Sequence, residues 1–305
     1  SKNIIPSKIN FVDIAGLVKG ASKGEGLGNK FLSNIRETDA IAHVIRCFED
    51  DDITHVEGKL DPLSDIEIIE TELLLADIQN LENRATSLEK KLRSSDKDAV
   101  IIFDFIKELL DFLNNGWPAR SMVVSTDLLP VYKEFNLLTS KPLLYICNVE
   151  EESTITGNIL SDRVIAYGKD NQVEVVIISA AIEAEISLLA EDEKKEYLES
   201  MGLNEAGLNR LIKAGYSQLD LITYFTSGEQ ETRAWTIPNK TAAPKAAGAI
   251  HTDFEKGFIR AETISYDDFI SFNGELGARE SGKMRLEGKE YIVKDGDIMH
   301  FRFSN

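Results

Sequence analysis

The chain has 305 residues, of which 43% are hydrophobic and 28% are charged, as is typical of globular proteins with buried cores. Lys and Arg number 34 against 52 Asp and Glu, and the net charge of −18 argues against a broad nucleic-acid binder, although a local basic face stays possible. Because of this acidic balance we do not expect DNA as a partner. No uninterrupted apolar run approaches the ~18–20 residues of a membrane-spanning helix, so we do not expect a membrane as a partner either.

The first predicted element is an apolar strand over residues 9–13 that runs into an Asp13-x-x-Gly16 turn. In P-loop NTPases an acid at such a strand end faces the Mg²⁺ of a bound triphosphate, and the glycine offers its backbone N–H to the γ-phosphate. A plain strand-end turn explains the same pattern equally well. Leu17 stands where Ras-like GTPases carry the glutamine that orients the attacking water, and leucine forms no side-chain hydrogen bond.

A glycine-rich run follows, with five glycines between residues 16 and 28, and it suits a loop that orders on a ligand. A helix is predicted to begin near Asn29, and a strand to cover Ala40 to Phe48. Residues 12–29, VDIAGLVKGASKGEGLGN, resemble the YchF subfamily of Obg-related P-loop NTPases, also called Obg-like ATPases. The resemblance implies an α/β fold: a Ras-like parallel sheet with a helical coiled-coil insertion and a C-terminal TGS domain, which is an α+β β-grasp module.

The phosphate-binding loop of such proteins is missing from the printed sequence, because no stretch reads Gly-x-x-x-x-Gly-Lys-[Ser/Thr]. The family carries this loop and switch I on the N-terminal side of the strand over 9–13. We therefore expect the chain to be a fragment, or its leading part to lie outside the given sequence. As given, it should bind a triphosphate poorly and be inactive as an ATPase.

A helical hairpin is predicted next. Pro62 ends the preceding segment, and Ser64 with Glu67 matches a capping box. Heptad spacing then marks two helices joined by a polar turn at 94–98, with seams formed by Leu74, Ile78, Leu81, Ala85, Leu88 and Leu92, and by Ala99, Ile102, Ile106, Leu109 and Leu113. The pair either projects as an antiparallel coiled coil or packs onto the core. Basic residues near the tip are ordinarily solvated, but contact with a polyanion stays open; they are Lys90, Lys91 and Arg93.

Two further strands continue the parallel sheet. Residues 141–151 form a continuous apolar run that ends in polar residues, and residues 173–178 lead into Ser179-Ala180-Ala181. Ligands of such sheets bind at the carboxyl ends of the strands, where both polar clusters lie. Cys47 and Cys147 fall in apolar strand-like runs and are predicted to be reduced core thiols.

The run Asn148-Val149-Glu150-Glu151 occupies the place of the Asn-Lys-x-Asp motif that reads guanine. Val149 replaces the lysine that packs along the base, and Glu151 is a longer acid, so guanine specificity is weakened. Adenine lacks the 2-amino donor that the acid would bind. The resemblance implies that ATP is preferred over GTP, with Asn148, Val149 and Glu151 near the base and Ser179, Ala180 and Ala181 contacting it through backbone N–H groups.

The group that positions water must come from elsewhere than Leu17. The resemblance points to His55, whose neutral imidazole can orient water near pH 7, but a surface-loop histidine without a role is the alternative. Asp13 is expected to hold Mg²⁺ through water, and Gly16 to contact the reacting phosphate. Consecutive acids over 49–52 are interpreted as solvated rather than as a metal cluster, and the remaining histidines, His43, His251 and His300, as structural.

The C-terminal part is predicted to be a small α+β unit. It contains an edge strand over 232–237, a helix over 250–258, and two short strands around an Asp-Gly turn over 291–303. Residues 251–262, HTDFEKGFIRAE, resemble the TGS domain of the same family.

Together these patterns predict three domains: a discontinuous nucleotide-binding domain (1–60 and 136–220), a helical hairpin (61–135) and a TGS domain (221–305). The function implied by the resemblance is slow, Mg²⁺-dependent ATP hydrolysis by a cytoplasmic conformational switch associated with the ribosome and its RNA. Two alternatives stay open: a nucleotide-gated binding module whose hydrolysis is incidental, and a GTPase.

Overall fold

The structure is a computed structural model that describes residues 1–14, 27–50, 60–92 and 97–304. It divides into two compact units, Val12–Ala214 and a second that joins Ser1–Phe11 to Gly215–Asn305. Within the described ranges, none of the helices has the length and apolar character needed to cross a membrane.

The elements follow in chain order. The strands are β1 (Asn3–Ile5), β2 (Ile41–Arg46), β3 (Leu143–Asn148), β4 (Glu174–Ile178), β5 (Leu221–Ser227), β6 (Glu231–Pro238), β7 (Phe258–Ile264), β8 (Arg285–Glu287) and β9 (Ile298–Phe303). The α-helices are α1 (Leu27–Arg36), α2 (Pro62–Leu92), α3 (Lys97–Asn114), α4 (Leu129–Phe135), α5 (Ile159–Asp170), α6 (Ala180–Leu188), α7 (Glu191–Ser200), α8 (Gly207–Gln218), α9 (Ala243–Ile250), α10 (Thr252–Lys256), α11 (Tyr266–Ser271) and α12 (Glu275–Glu280).

The larger unit contains a parallel sheet in the order β2-β3-β4, which confirms the predicted α/β pattern. The central strand β3 is buried from Leu143 to Cys147, and this explains its unbroken apolar sequence. In register, Arg46 of β2 and Ile178 of β4 both stand opposite Asn148, so all three strands end at the same edge. Cys47 and Cys147 are buried free thiols, as predicted.

The strand predicted over residues 9–13 does not form. These residues have no regular structure, and the side chains of Phe11 and Val12 are 47% and 65% exposed. An apolar segment becomes a strand only if a neighbour satisfies its backbone groups, and no described strand pairs with it. Instead β1 pairs in parallel with β6, which places residues 1–11 with the C-terminal unit rather than with the predicted domain 1–60.

Helices α2 and α3 form the predicted hairpin. With 31 residues, α2 is about 46 Å long. It begins at Pro62, ahead of the predicted Ser64 cap, because proline lacks the N–H that a first turn leaves unpaired. Apart from Ala99, the seam residues whose side chains are described share one cluster that also contains Phe135 and Leu137, so the hairpin is packed against residues that follow it. These seam residues are Leu74, Ile78, Leu81, Ala85, Leu88, Ile102, Ile106, Leu109 and Leu113.

A buried carboxylate fixes α2 to the chain entering β3. Asp77 is fully buried and accepts hydrogen bonds from the backbone N–H groups of Leu138 (2.8 Å) and Thr139 (2.7 Å) and from the Thr139 hydroxyl (2.7 Å). Burial raises the pKa of Asp77, although these three bonds act in the opposite direction. The contact therefore positions α2 relative to the start of the central strand.

The smaller unit contains a six-stranded mixed sheet in the order β1-β6-β5-β9-β7-β8. Its core joins α9 to the sheet around Tyr224, Ala247 and Phe301. Strand β6, predicted to be an edge strand, has β1 on one side and β5 on the other. The helix predicted over 250–258 corresponds to α10, and Phe258 already begins β7.

The two strands predicted around the turn Asp295-Gly296 are only half correct. The turn is present, with a φ of +82° at Gly296, and β9 follows it. However, β9 pairs with β7 and β5, whereas the segment before the turn bonds to residues 241–243, with Val293 N–H donating to the Thr241 carbonyl at 3.0 Å. Turn residues predict where the chain reverses direction. Which strands become neighbours depends on pairing across the whole sheet.

Candidate functional site

The candidate site lies at the carboxyl ends of β3 and β4. The Asn148 side-chain oxygen accepts a hydrogen bond from the backbone N–H of Ala180 at 2.9 Å. In parallel, the Val149 N–H donates to the Ile178 carbonyl at 2.9 Å. These two bonds hold together the loops that the sequence predicts on either side of a base, so Asn148, Val149 and Ala180 are brought together as expected for this edge.

The side chain of Val149 is buried and is not exposed at the site. It is 2% exposed and packs in the core cluster with Ile45 and Cys147. A ligand base would therefore meet mainly the backbone at this position. Glu151, at the start of a short 3-10 helix over Glu151–Ser153, is exposed to solvent.

Glu150 and Asn158 brace the loop after β3 and were not predicted from the sequence. The Asn158 amide donates to the Cys47 carbonyl at 2.6 Å and to the Glu150 carboxylate at 2.9 Å. Partial burial raises the pKa of Glu150, but the bonds from Ser153 and Asn158 outweigh it and hold the pKa below its usual value. Asn158 also caps α5 in a capping box with Ser161, and the Asn-x-x-Ser spacing was the available sequence signal.

The second loop begins with a buried hydroxyl. Ser179 is 1% exposed, and its Oγ has no hydrogen-bond partner among the described residues. Ala180 and Ala181 are exposed and open α6, where backbone N–H groups point outward without helical partners. Such an end favours electronegative ligand atoms.

Two side chains behind this loop fix its position. The Glu183 carboxylate accepts the N–H groups of Gly207 (2.6 Å) and Leu208 (3.1 Å) at the start of α8. From α8, the Arg210 guanidinium donates to the Ile177 carbonyl of β4 at 2.9 Å. The carboxyl end of β4 is thus connected to α6 and α8 before any ligand binds.

The predicted phosphate side of the site is only partly described. Asp13 is exposed in an irregular segment, and the adjacent Ile14 packs near Leu32 and Ile35 of α1. Gly16, Leu17 and His55 lie outside the described residues, so their predicted roles stay predictions.

A preformed metal cluster does not occur in the described part of the chain, where no three His, Cys, Asp or Glu side chains come together. Mg²⁺ seldom needs such a cage, because it keeps several waters and binds one or two carboxylates together with phosphates. The exposed carboxylate of Asp13 is compatible with that kind of site. Of the acids predicted to be solvated, Glu49 and Asp50 are exposed, and Asp51 and Asp52 lie outside the described residues.

Comparison with known proteins assigns the chain to a family. A family model described as 50S ribosome-binding GTPase (MMR_HSR1) matches residues 2–104, and the model YchF-GTPase_C, described as a protein of unknown function (DUF933), matches residues 221–304. The ribosome-binding ATPase YchF of Haemophilus ducreyi is 56% identical over 303 residues, covering 99% of this chain and 83% of the relative. The chain belongs to the YchF family. The Bacillus subtilis member is 51% identical over 305 residues, with the same two coverages.

Solved structures agree with this assignment. The YchF GTPase of Schizosaccharomyces pombe matches with a TM-score of 0.84 and 36% identity, covering 99% of this chain and 82% of that one. A GTP-binding protein from Pyrococcus horikoshii matches with a TM-score of 0.58 at 19% identity, covering 90% and 81%, and shows the shared fold alone. The fold is therefore a P-loop GTPase domain with a YchF C-terminal domain, as the sequence predicted.

Proposed function

We propose that this protein binds ATP with Mg²⁺, hydrolyses it slowly, and acts as a nucleotide-dependent switch on the ribosome in the cytoplasm. The observation that carries the proposal is the identity of 51–56% over 99% of the chain to proteins named ribosome-binding ATPase YchF. The bond from Ala180 to Asn148 supports it, because it joins the two loops expected to hold the base. We further propose that residues 221–305 act as a TGS module.

The proposed preference for ATP is supported by the absence from the Asn148 loop of the groups that read guanine. A guanine reader needs a carboxylate that accepts two N–H donors from the base. Here the aligned acid is Glu151 at the exposed start of a 3-10 helix, and the aligned lysine is the buried Val149. We assign Asn148, Val149 and Glu151 to the base-facing loop, together with Ser179, Ala180 and Ala181. The Ala180 N–H donates to Asn148, so the backbone N–H groups assigned to the base are those of Ser179 and Ala181. The Ser179 hydroxyl, which has no hydrogen-bond partner among the described residues, is a further group that we assign to a bound nucleotide.

The phosphate side is assigned by the same proposal. Asp13 would hold Mg²⁺ through water, and Gly16 would offer its N–H to the γ-phosphate. Mg²⁺ neutralises charge on the phosphate oxygens when bound. Because the side chain of Leu17 cannot orient a water molecule, His55 is the residue we assign to that task.

Competition binding tests the base assignment on the intact protein. A fluorescent ATP analogue is displaced by ATP and, in a parallel titration, by GTP, each with Mg²⁺. We expect ATP to displace it at a lower concentration. A clear preference for GTP would overturn the assignment and favour the GTPase reading, which the name of the Schizosaccharomyces pombe relative supports.

Turnover measurements test the switch. We expect slow phosphate release that increases when ribosomes are added, and a His55→Gln variant that still binds ATP but turns over more slowly. Tight ATP-dependent ribosome binding without any change in turnover would instead indicate a nucleotide-gated binding module.

A further inference from the structure

A groove on the larger unit differs from the rest of this acidic chain. It has a volume of about 510 Å³ and lies between α1, α2 and the end of α4. Its lining consists of Leu32, Ser33, Arg36, Ala76, Gln79, Asn80, Asn83, Arg84, Phe135 and Asn136. Among these described lining residues there are two arginines and four side-chain amides but no carboxylate, although the chain carries a net charge of −18.

Backbone carbonyls hold both arginines at the wall of the groove. Arg36 donates to the Asn136 carbonyl at 3.1 Å, and the Asn136 amide donates back to the Arg36 carbonyl at 3.3 Å. Asn136 itself ends α4 with a φ of +48°, a conformation that asparagine tolerates better than most residues. A guanidinium has five N–H donors, and among the described residues the Arg36 side chain donates only to the Asn136 carbonyl.

Arg84 is held from three directions. Its Nε donates to the Asn80 side chain at 3.1 Å, an Nη reaches the Glu134 carbonyl at 3.5 Å, and its guanidinium carbon lies 5.3 Å from the centroid of the Phe135 ring. A guanidinium fixed in this way can donate two parallel bonds to a phosphate, and its plane can stack on a base.

The amides supply a different chemistry from the arginines. Gln79 and Asn83 are exposed on α2 one turn apart, and neither side chain bonds another described residue. An amide offers a donor and an acceptor together, which matches the edge of a nucleobase. Asp77, a buried acid of α2, accepts its hydrogen bonds from Leu138 and Thr139, although Arg36 lies close enough to lower the pKa of its carboxyl.

We propose that this groove binds unpaired nucleotides of an RNA, with Arg36 and Arg84 on phosphates and the amides of Gln79 and Asn83 on base edges. The inference deepens the proposed ribosome association and rests on it for the identity of the RNA. Single-stranded segments are favoured over a duplex, because the groove has the size of a small-ligand site (~300–1,000 Å³) and unstacked bases expose their edges.

The test is fluorescence anisotropy of the intact protein with a labelled single-stranded RNA of about 12 nucleotides, and with the same RNA annealed to its complement. The double variant Arg36→Gln/Arg84→Gln should bind the single strand at least about tenfold more weakly. The slope of log affinity against log salt should fall by about 1.4, or about 0.7 for each lost phosphate contact. The double variant Arg36→Lys/Arg84→Lys, which keeps both charges, should recover part of the affinity and the slope.

The matched control is Arg163→Gln, which removes an exposed arginine paired with Asp61 elsewhere on the same unit. It should bind RNA like the wild type. Unchanged binding by the Arg36→Gln/Arg84→Gln variant with an unaltered melting curve, an equal loss in the control, or tighter binding of the duplex would each overturn the inference.

Ribosome co-sedimentation separates the two claims. If the wild type sediments with ribosomes and the arginine variants bind RNA normally, only the groove assignment fails. If the wild type does not sediment but its RNA binding still depends on both arginines, the groove assignment stands and the proposed ribosome association fails.

Discussion

Asn148 provides one of the two hydrogen bonds that join the loops of the candidate site, and it is the one that uses a side chain. Without its side-chain oxygen, the Ala180 N–H loses its partner and the start of α6 is no longer tied to β3. A net hydrogen bond contributes about 1 kcal/mol, and disorder of the loop adds to the loss. We therefore expect Asn148→Ala to weaken ATP binding about tenfold or more, with little change in the melting temperature.

Calorimetric titration of ATP with Mg²⁺ measures this effect. The control is Asn171→Ala at the end of α5, which also removes one hydrogen bond between a side chain and the backbone, here donated by the Asn171 amide to the Tyr167 carbonyl at 2.9 Å, but away from the site. Equal losses in the two variants would show that Asn148 has no special role in binding.

His43 makes stability depend on pH. It lies in β2 opposite Tyr145, with the ring centroids 6.2 Å apart. Burial lowers the pKa of His43 to about 4, against the opposing effect of the carboxylates of Glu70 and Asp65. An unfolded histidine titrates near pH 6.5, so the unfolded chain binds a proton that the folded chain does not. The stability from neutral His43 is complete above about pH 6.5 and is lost as the pH falls towards 4.

Urea unfolding at several pH values measures that loss. Between pH 7.5 and 4.5 the wild type should lose about 2 kcal/mol more than His43→Gln, whose side chain does not titrate. His300→Gln, which removes an exposed histidine of β9, should follow the wild type. Parallel pH curves for the wild type and His43→Gln would contradict the prediction.

Site residues at strand ends were predictable, whereas residues that brace the loops were not. Asn148 and Ser179 directly follow apolar runs, and parallel strands bring such ends to one edge. Glu150 and Asn158 are eight residues apart, and the segment between them has only a short 3-10 helix, so no helical or strand periodicity indicates their contact. The buried packing of Val149 also depends on neighbours contributed by β2, and these cannot be read from its own segment.

At the scale of the elements, we expect the apolar seam between α2 and α3 to stabilise the larger unit. Leu81 is fully buried between α2 and α3, whereas Leu75 on the same helix is 42% exposed. Truncation of a buried leucine removes apolar contacts and leaves a cavity, at a cost of about 2–5 kcal/mol. Leu81→Ala should therefore destabilise the larger unit by that amount, and Leu75→Ala by much less.

Thermal and urea unfolding monitored by circular dichroism compare these two variants, and Leu75→Ala controls for helix propensity because the same substitution is made in the same helix. Similar losses in both variants would mean that residues 74–88 do not pack as the seam indicates.

Elements with a complete local pattern were predicted well, and those that depend on a distant partner were not. The apolar heptad positions of α2 and α3 pack against each other, and only a few residues separate the two helices in the sequence. By contrast, residues 9–13 have the composition of a strand but no described partner, whereas residues 3–5 pair with β6 more than 200 residues later. The segment before Asp295 likewise bonds to residues 241–243 rather than to β9. Composition indicates that a segment is suited to be a strand, but pairing depends on the whole sheet.

At the scale of the whole molecule, net charge opposes folding. The chain carries 52 acidic and 34 basic side chains, and repulsion among the excess acids favours expansion of the chain. Exposed ion pairs such as Arg163–Asp61 oppose this, but each contributes only about 0–1 kcal/mol. Salt screens both effects, and with an excess of 18 negative charges we expect the repulsion to be the larger.

Two adjacent exposed residues of opposite charge, Lys289 and Glu290, provide a direct test, and the structure shows no ion pair for either within the described residues. In urea unfolding at low salt, Glu290→Gln should raise the free energy of unfolding and Lys289→Gln should lower it, each by up to about 0.5 kcal/mol. At about 0.5 M KCl the two variants should converge on the wild type, because the screening length is then only a few ångströms. The same salt should weaken RNA binding in the groove while stabilising the fold. If added KCl lowered the stability of the wild type, the ion pairs would outweigh the repulsion and the charge argument would be wrong.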